Sequence, residues 1–546
     1  GHTDFAVPVP HSNPRAGHSR IDKMNTPLVS HPFLTDAEAS AWEARLLGND
    51  EQKQYAAMAR AGKEVGRQLA EDLKLLRAPT TADPLKILLL LGKGHNAGDA
   101  LLALKELHTQ KIPLFARCLF AFGERSLKPL TRRAFEECLN AEVPLEYADF
   151  DGQSDLVRNE DWDVCIDGLF GLSFRSPLPS EAVALIEAVN THPRIFLRAA
   201  IDYPSGLNDQ TLLEKSAPIF RADFTYQTGI PKETLLHPKR AADVGRLRYA
   251  DIGFFDADTL AEKPLRLIVK EPLLKSLAAL READCDKRDF GHCFILSGSQ
   301  TMAGAHLMNV QAALRSGAGL VSALCPGDFV PAFCAQEPGA LWSTYPANPQ
   351  GGASSEGSQM LLEKLIRATA FLAGSGMGRS ADTAELLQKI AREAPCPLVF
   401  DADALTPELI DAIGQRPADT PPCILTPHLG EYARINPGNV HGDANALCNS
   451  FGAVLVLKAA RTQIFDGQNT YVNICGSPAL ARGGSGDVLA GLIAGLLAQC
   501  PQSYLKAAAA AVVWHGVASE CAERASTQRT ATMTELVGHL GTALKR

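Results

Sequence analysis

The sequence predicts an α/β protein of two domains, each built around a largely parallel sheet. Three observations carry this. The pattern strand–turn–helix runs through the first half of the chain and then restarts in the second. Its strand candidates are short, continuously apolar runs, as expected of strands buried on both faces. The 546 residues also exceed what one ordinary core organises, so two or more domains are expected.

In the first half, Ile87 to Leu91 is such a run. It is followed by Gly92-Lys93-Gly94-His95-Asn96-Ala97-Gly98-Asp99 and then by a helical pattern through Leu107. Further strands are predicted at Pro113 to Ala121, Val164 to Ile166 and Ile195 to Ile201, the last two running into Asp167 and Asp202. Acidic residues at the carboxyl ends of parallel strands stand where open α/β sheets place their ligands. The second half restarts at Cys293 to Leu296, closing on Gly298 and Ser299, and continues with strands at Ala370 to Ala373, Leu398 to Phe400 and Val454 to Leu457. Periodicity lapses between Phe255 and Pro264, which places the boundary between domains 1–258 and 259–546. Residues 347–358, rich in Gly, Ser and Asn, read as a flexible surface loop. No short internal repeat is present, which argues against a solenoid.

Composition narrows the function classes. Apolar residues at 46% and charged residues at 21% are ordinary for a soluble enzyme. A net charge of −8 argues against a general nucleic-acid or membrane-surface binder, so any phosphate site must be local. The 13 cysteines are scattered without a Cys-x-x-Cys spacing, indicating neither a zinc site nor a disulfide framework and fitting a reducing cytoplasm. The apolar stretches around Val488 to Cys500 and Ala507 to Trp514 are too short or interrupted to span a bilayer. Residues 1 to about 30, rich in His, Pro and Ser, lack a signal-peptide layout and are expected to be loosely held.

The most informative stretch is Ala481-Arg482-Gly483-Gly484-Ser485-Gly486-Asp487-Val488-Leu489-Ala490-Gly491. Glycines that permit positive φ and close approach run into a helix start, whose unpaired N–H groups form an anion site. Asp487 falls in the first turn. A carboxylate beside a phosphate is costly unless it does chemistry, such as taking the proton of a hydroxyl about to be phosphorylated. Around it stand Ala373-Gly374-Ser375-Gly376-Met377-Gly378, Asp401-Ala402-Asp403, Thr426-Pro427-His428-Leu429-Gly430-Glu431 and Lys458-Ala459-Ala460-Arg461-Thr462. Each alone has an ordinary reading: a helix cap, a structural histidine, a solvated lysine. All, however, are expected to converge on one sheet edge.

That ordered set, with Gly304-Ala305 and Ala312 to Leu320, resembles the ADP-dependent NAD(P)H-hydrate dehydratases over nearly all of residues 285–540. The resemblance implies a ribokinase-like domain in which ADP phosphorylates the hydroxyl of a hydrated dihydronicotinamide; phosphate then leaves and the double bond returns. It makes Asp487 the catalytic base, with Lys458, Ala459, Ala460, Arg461, Thr462, Gly483, Gly484 and Gly486 binding the nucleotide. Ala305, Gly378, His428 and Glu431 would line the hydrate pocket beside Asp487. Mg2+ is implied with the nucleotide, and ADP is favoured over ATP by the likeness to bacterial fused forms. Ala459 departs from a usual glycine, and Asp286 stands where a histidine often precedes Lys287.

The first half resembles the NAD(P)H-hydrate epimerase domain fused to this dehydratase in many bacteria, over roughly residues 35–254. Gly92 to Asp99, Ile166 to Gly171, Ile201 to Gly206 and Gly229 to Lys232 carry the likeness, which implies a Rossmann-like three-layer domain. By it, Asn96, Asp167 and Ser205 hold K+, and Asp202 moves protons at the substrate as the C6 centre opens and recloses. His95, Asn96, Ala97, Gly98 and Asp99, with Gly171, Leu172, Ser173, Phe174 and Arg175, wrap the substrate and its phosphates. The family's loop reads Gly-Asn-Asn-Gly-Gly-Asp-Gly, whereas Gly94 to Ala100 replaces two glycines by alanine and one asparagine by histidine. If those glycines need positive φ or touch phosphate, the added Cβ atoms strain the cradle and weaken the epimerase.

The expected protein is therefore a cytoplasmic, homo-oligomeric repair enzyme acting on NADH and NADPH hydrates, with no nucleic-acid or membrane partner. The alternative is a ribokinase-like small-molecule kinase that releases a phosphorylated product and carries a non-catalytic N-terminal binding module.

Overall fold

Leu85–Leu91 is buried at every position except Lys86, because helices cover both faces of the sheet it centres. The computed structural model describes residues 28–76, 83–256, 266–438 and 444–545. In the first unit seven strands, all parallel, lie in the spatial order Leu145–Asp149, Leu114–Phe120, Leu85–Leu91, Trp162–Gly168, Ile195–Ile201, Phe224–Thr228 and Arg246–Ala250. Strand order reverses between Leu85–Leu91 and Trp162–Gly168. That switch point opens a crevice at the carboxyl edge, where open sheets bind ligands. The helix Glu51–Leu73 packs on the helix His95–Thr109 through its glycines: a Cβ at Gly62 would stand 2.3 Å from Leu102 Cβ, and one at Gly66 2.5 Å from Glu106 Cβ.

The second sheet has eleven strands. Its parallel core runs Leu341–Tyr345, Leu320–Pro326, His292–Leu296, Ala370–Ala373, Leu398–Phe400, Cys423–Leu425 and Ala453–Leu457. The antiparallel pair Gln463–Phe465 and Thr470–Val472 extends it. Its switch point lies between His292–Leu296 and Ala370–Ala373. The helix Ser485–Gln499 is buried without a break from Val488 to Ala498 and packs against the helix Ala303–Arg315. Gly491 and Gly495 permit this approach, since added Cβ atoms would lie 2.3 Å from Asn309 O and 2.1 Å from Ser316 Oγ.

The α/β expectation with two sheets therefore holds, and each strand named above from the sequence is present with ends shifted by a few residues at most. The sequence reading did not name the outer strands Leu145–Asp149, Phe224–Thr228, Arg246–Ala250 and Leu341–Tyr345; several are half-exposed and lack an unbroken apolar run. The boundary at 258/259 and the segment 1–27 lie outside the described residues. Ser30–Pro32 pairs antiparallel with Arg266–Val269, so the N-terminal end of the described chain is an edge strand of the second sheet. Residues 347–358 correct the sequence reading of a flexible surface loop. Gly351 to Ser354 are buried, and Asn348, 6% exposed, donates to Ser380 Oγ and Thr383 Oγ1 and accepts from Gly352 N at 3.0 Å. One asparagine satisfies the turn's polar groups and lets the turn pack.

Candidate functional site

The second site assembles at the carboxyl edge of the eleven-stranded sheet. Gly484 caps the helix Ser485–Gln499 in the left-handed conformation, φ 92°, leaving the first-turn N–H groups of Gly486 and Asp487 without a backbone acceptor among the described residues, while Ser485 N donates to the Arg482 carbonyl at 3.4 Å. A continuous polar chain then runs across four strand ends. His428 Nε2 lies 3.3 Å from Glu431 Oε1, and Glu431 Oε2 lies 3.8 Å from Lys458 Nζ. Lys458 Nζ bonds Asp401 Oδ1 at 2.6 Å, Asp401 Oδ2 accepts from Ser375 Oγ at 3.2 Å, and Asn309 Nδ2 donates to Ser375 Oγ and to the Asp487 carbonyl at 2.7 Å. His428 Nδ1 accepts from the N–H groups of Gly430 and Glu431, which puts the ring proton on Nε2, facing Glu431.

Burial, then the charge of Asp401, pushes the Asp487 pKa up to about 6, against the opposing pull of Lys458 and of a Ser375 hydrogen bond. Burial alone would lower Lys458; Asp401 and Glu431 more than offset it, so its pKa is raised and the ammonium is retained. The arrangement offers a proton acceptor poised near neutrality beside an anion-binding helix start.

Gly374, Gly376 and Gly378 all adopt positive φ. Gly376 has no room for a side chain, since a Cβ there would lie 3.0 Å from both Ala305 Cβ and Met302 Cβ. Gly378 N donates to Asp403 Oδ2 at 2.9 Å. Gly378 and His428 on loops, and Ala305, Glu431 and Asp487 in the first turns of the helices Ala303–Arg315, Leu429–Ile435 and Ser485–Gln499, are thus set along one sheet edge. Gly483 is exposed with open space around it, and Gly486 faces Lys458 Nζ, 3.2 Å from where a Cβ would stand. Ala459 and Ala460 are exposed, and neither has positive φ, so the missing glycine leaves no backbone strain. Thr462 Oγ1 closes the loop on the Ala459 carbonyl at 3.1 Å.

Arg461 is placed differently from the rest of its loop. Its guanidinium donates to the Leu235 carbonyl at 2.7 Å and to the Gly245 carbonyl at 3.2 Å, both in the first unit, and burial lowers its pKa to about 10. Asn309, buried within an apolar helix, was not anticipated; the only signal was an amide on its core-facing side.

The first site is a cavity of about 520 Å3 at the other switch point. His95, Asn96, Asp99, Gly171, Leu172, Ser173, Arg175 and Asp202 line it. Ala97 and Gly98 lie behind it, fully buried in the helix, where a Cβ on Gly98 would meet Met58 Sδ at 2.5 Å. Phe174 also turns inward, its ring 5.4 Å from that of Phe170. The loop's departures are harmless to the backbone: Ala97 and Ala100 sit in right-handed helix, which alanine favours.

Asp167 is fully buried and accepts from Ser205 Oγ at 2.7 Å, Ser205 N at 2.8 Å and Leu169 N at 3.1 Å; burial raises its pKa to about 6. No cationic side chain is among its partners within the described residues. Asn96, 8% exposed, has neither amide atom hydrogen-bonded. Asp202 holds a left-handed φ of 63°, unusual for a non-glycine, and forms an ion pair with Lys232, itself 2% exposed. Its Oδ2 accepts from Leu172 N at 3.0 Å.

Residues 293–540 match the family model described as NAD(P)H-hydrate dehydratase, and residues 54–234 the one described as YjeF-related protein N-terminus. The chain is similar to the bifunctional NAD(P)H-hydrate repair enzyme Nnr of Moorella thermoacetica, 30% identical across 84% of this chain and 87% of that one. The enzyme of the same name from Thermosynechococcus vestitus is 32% identical across 88% of this chain and 92% of its own. Among solved structures, the ADP/ATP-dependent NAD(P)H-hydrate dehydratase from Bacillus subtilis co-crystallised with ATP and Mg2+ is 26% identical, covering 51% of this chain and 98% of its own, with a TM-score of 0.43.

Proposed function

Because the chain belongs to the family of bifunctional NAD(P)H-hydrate repair enzymes, we propose a specific division of work among its residues. The enzyme repairs hydrated NADH and NADPH: the N-terminal domain epimerises the R and S hydrates, and the C-terminal domain dehydrates the S hydrate at the expense of a nucleotide. Membership decides against the small-molecule kinase.

In the second site, Asp487 takes the proton of the C6 hydroxyl, whose oxygen attacks the terminal phosphorus of the nucleotide; the bond from that phosphorus to the bridging oxygen breaks, and the nucleotide shortened by one phosphate leaves with the electron pair. Phosphate then leaves C6 with its bonding electrons, and loss of a proton from C5 restores the double bond. The N–H groups of Gly483, Gly484 and Gly486 stabilise the charge that develops on the transferring group. Lys458 keeps Asp401 compensated beneath them. The observation that carries this reading is the place of Asp487, half-buried at the first turn of a glycine-started helix, where desolvation pushes its pKa up to about 6.

ADP is the donor in this reading, as the likeness to fused bacterial enzymes supports. Mg2+ would accompany the nucleotide in this reading, offsetting the charge of its phosphates. Following dihydronicotinamide absorbance after adding ADP or ATP to hydrated NADH tests it. Recovery should be faster with ADP, and Asp487→Asn should abolish it while nucleotide binding persists. Normal turnover by that variant would remove Asp487 from the role.

In the first site, Asp202 is the proton-moving group. Asn96, Asp167 and Ser205 are the ligands of K+, which the unpartnered Asn96 amide and the uncompensated buried Asp167 support. A potassium ion there would neutralise Asp167 and fix the strand end from which the substrate loop departs. The 13 cysteines, scattered without a Cys-x-x-Cys spacing, support a reducing, cytoplasmic setting. No helix among the described residues is long and apolar enough to cross a membrane. The homo-oligomeric state belongs to the same proposal and is read by sedimentation velocity.

A further inference from the structure

The epimerase cavity is closed on one side by the helix Asp36–Leu47, which precedes the segment 54–234 that matches the family model. This helix is anchored to the chemistry. Asp36 accepts from Tyr203 Oη at 2.6 Å and from Thr234 Oγ1 at 2.8 Å, the neighbours of Asp202 and of Glu233 beside Lys232. At its other end Trp42 Nε1 donates to the Phe254 carbonyl at 3.1 Å. Glu43 lies seven residues beyond Asp36, hence on the same helical face and about 10 Å further along the axis. That places it on the cavity wall together with Asp99, Asp202 and Lys232. Both Glu43 and Asp99 line the cavity, and neither carboxyl has a hydrogen bond or ion pair with a described side chain.

We propose that Glu43 is the second proton-carrying carboxyl of the epimerase, acting on the ring nitrogen across the cavity from Asp202. The proposal rests on the epimerase reading above. Opening the hydrated ring requires two protons to move. Asp202 accepts the proton of the C6 hydroxyl, C6 becomes an aldehyde, and the C6–N1 bond breaks with its electron pair going to N1. Glu43, as the acid, gives its proton to N1. After rotation about C5–C6, the N1 proton returns to Glu43, N1 attacks the other face of C6, and Asp202 returns its proton to oxygen. Atoms and charges balance, and both carboxyls end as they began. Burial, then the charge of Asp202, raises the Glu43 pKa, which keeps the acid form available. Burial, then Asp202 and Glu43, holds Asp99 well above the usual carboxylate range.

The test uses the full-length enzyme with K+, measuring R-to-S conversion by separating the epimers chromatographically. Glu43→Gln preserves shape and hydrogen bonding but cannot carry the proton. Its kcat should fall about 10²- to 10³-fold with KM within about threefold, the high-pH decline of kcat should disappear, and Glu43→Asp should recover part of the rate. Dehydratase activity in the same preparation should stay unchanged and so report folding. The proposal is overturned if Glu43→Gln keeps its kcat, if only KM changes, or if Asp99→Asn loses more kcat than Glu43→Gln. Loss of activity in Asp202→Asn alone would then leave the epimerase reading standing. A wild-type enzyme that fails to interconvert the hydrates would overturn both.

Discussion

Asp487 carries the sharpest consequence at the scale of single residues. A base must be deprotonated to act, and burial has moved its pKa up to about 6. The dehydratase kcat/KM, which reports the free enzyme, should therefore be flat above about pH 7 and fall tenfold per unit as pH drops below about 6. A profile unchanged down to pH 5 would mean that another group takes the proton. The sequence foretold this carboxylate because glycines, helix start and Asp are contiguous within Gly483–Asp487. It did not foretell Asn309, which ties the Asp487 carbonyl to Ser375 from a helix some 180 residues away and resembles any amide in an amphipathic pattern. Glu43 escaped for the opposite reason, as one charge among several on a short surface helix. Only the fold shows that Asp36 pins its face to the segments on either side of Asp202.

At the scale of elements, the two glycine loops differ for a reason that spacing alone conceals. The loop at 483 needs its glycine, since Gly484 has φ 92° and a Cβ there would lie 2.4 Å from Met308 Sδ. The loop at 94 is the first turn of the helix His95–Thr109, and its alanines are fully buried and helical. The expectation of a strained cradle assumed turn geometry where the backbone is helix. Restoring glycine at Ala97 and Ala100 should thus leave epimerase kcat/KM within about twofold. It should also destabilise the protein by about 1 kcal/mol per site from backbone entropy, with the lost buried methyls adding to it. Thermal denaturation and steady-state kinetics on the double variant decide this. A severalfold gain in kcat/KM would show that the methyls do constrict the site. The buried strands were legible because unbroken apolar runs such as Ile87–Leu91 admit few readings; the edge strand Leu145–Asp149, largely exposed, has no such run.

At the scale of the whole molecule, the two units are joined by contacts that no local pattern announces. Ser30–Pro32 completes the second sheet while Leu34 bridges to Lys232 of the first unit. Arg461 reaches from the nucleotide loop to Leu235 and Gly245. Its position after Lys458 suggested phosphate, but the partner that claims it is distant in sequence. The strongest link is a buried cluster in which Arg248 binds Asp72 at 2.7 Å and Glu520 at 2.9 Å, Arg246 binds Glu523 at 2.8 Å, and Arg524 approaches Asp72 at 3.4 Å. Its three guanidinium groups match its three carboxylates, with Glu520 and Glu523 on one helix of the second unit and Asp72, Arg246 and Arg248 in the first. Removing one member leaves opposite charges buried and uncompensated, a loss of about 3–5 kcal/mol. Arg248→Leu removes the nearest cation of Asp72 and of Glu520 across the junction, leaving Asp72 with Arg524 at 3.4 Å and Glu520 with Arg524 at 3.5 Å and Arg246 at 3.7 Å, so it weakens the coupling between the units more than either core. Calorimetry of the wild type should show one cooperative transition, and the variant should melt earlier in two resolved steps. A single unshifted transition would mean that the edge strand and Arg461 suffice to hold the units together.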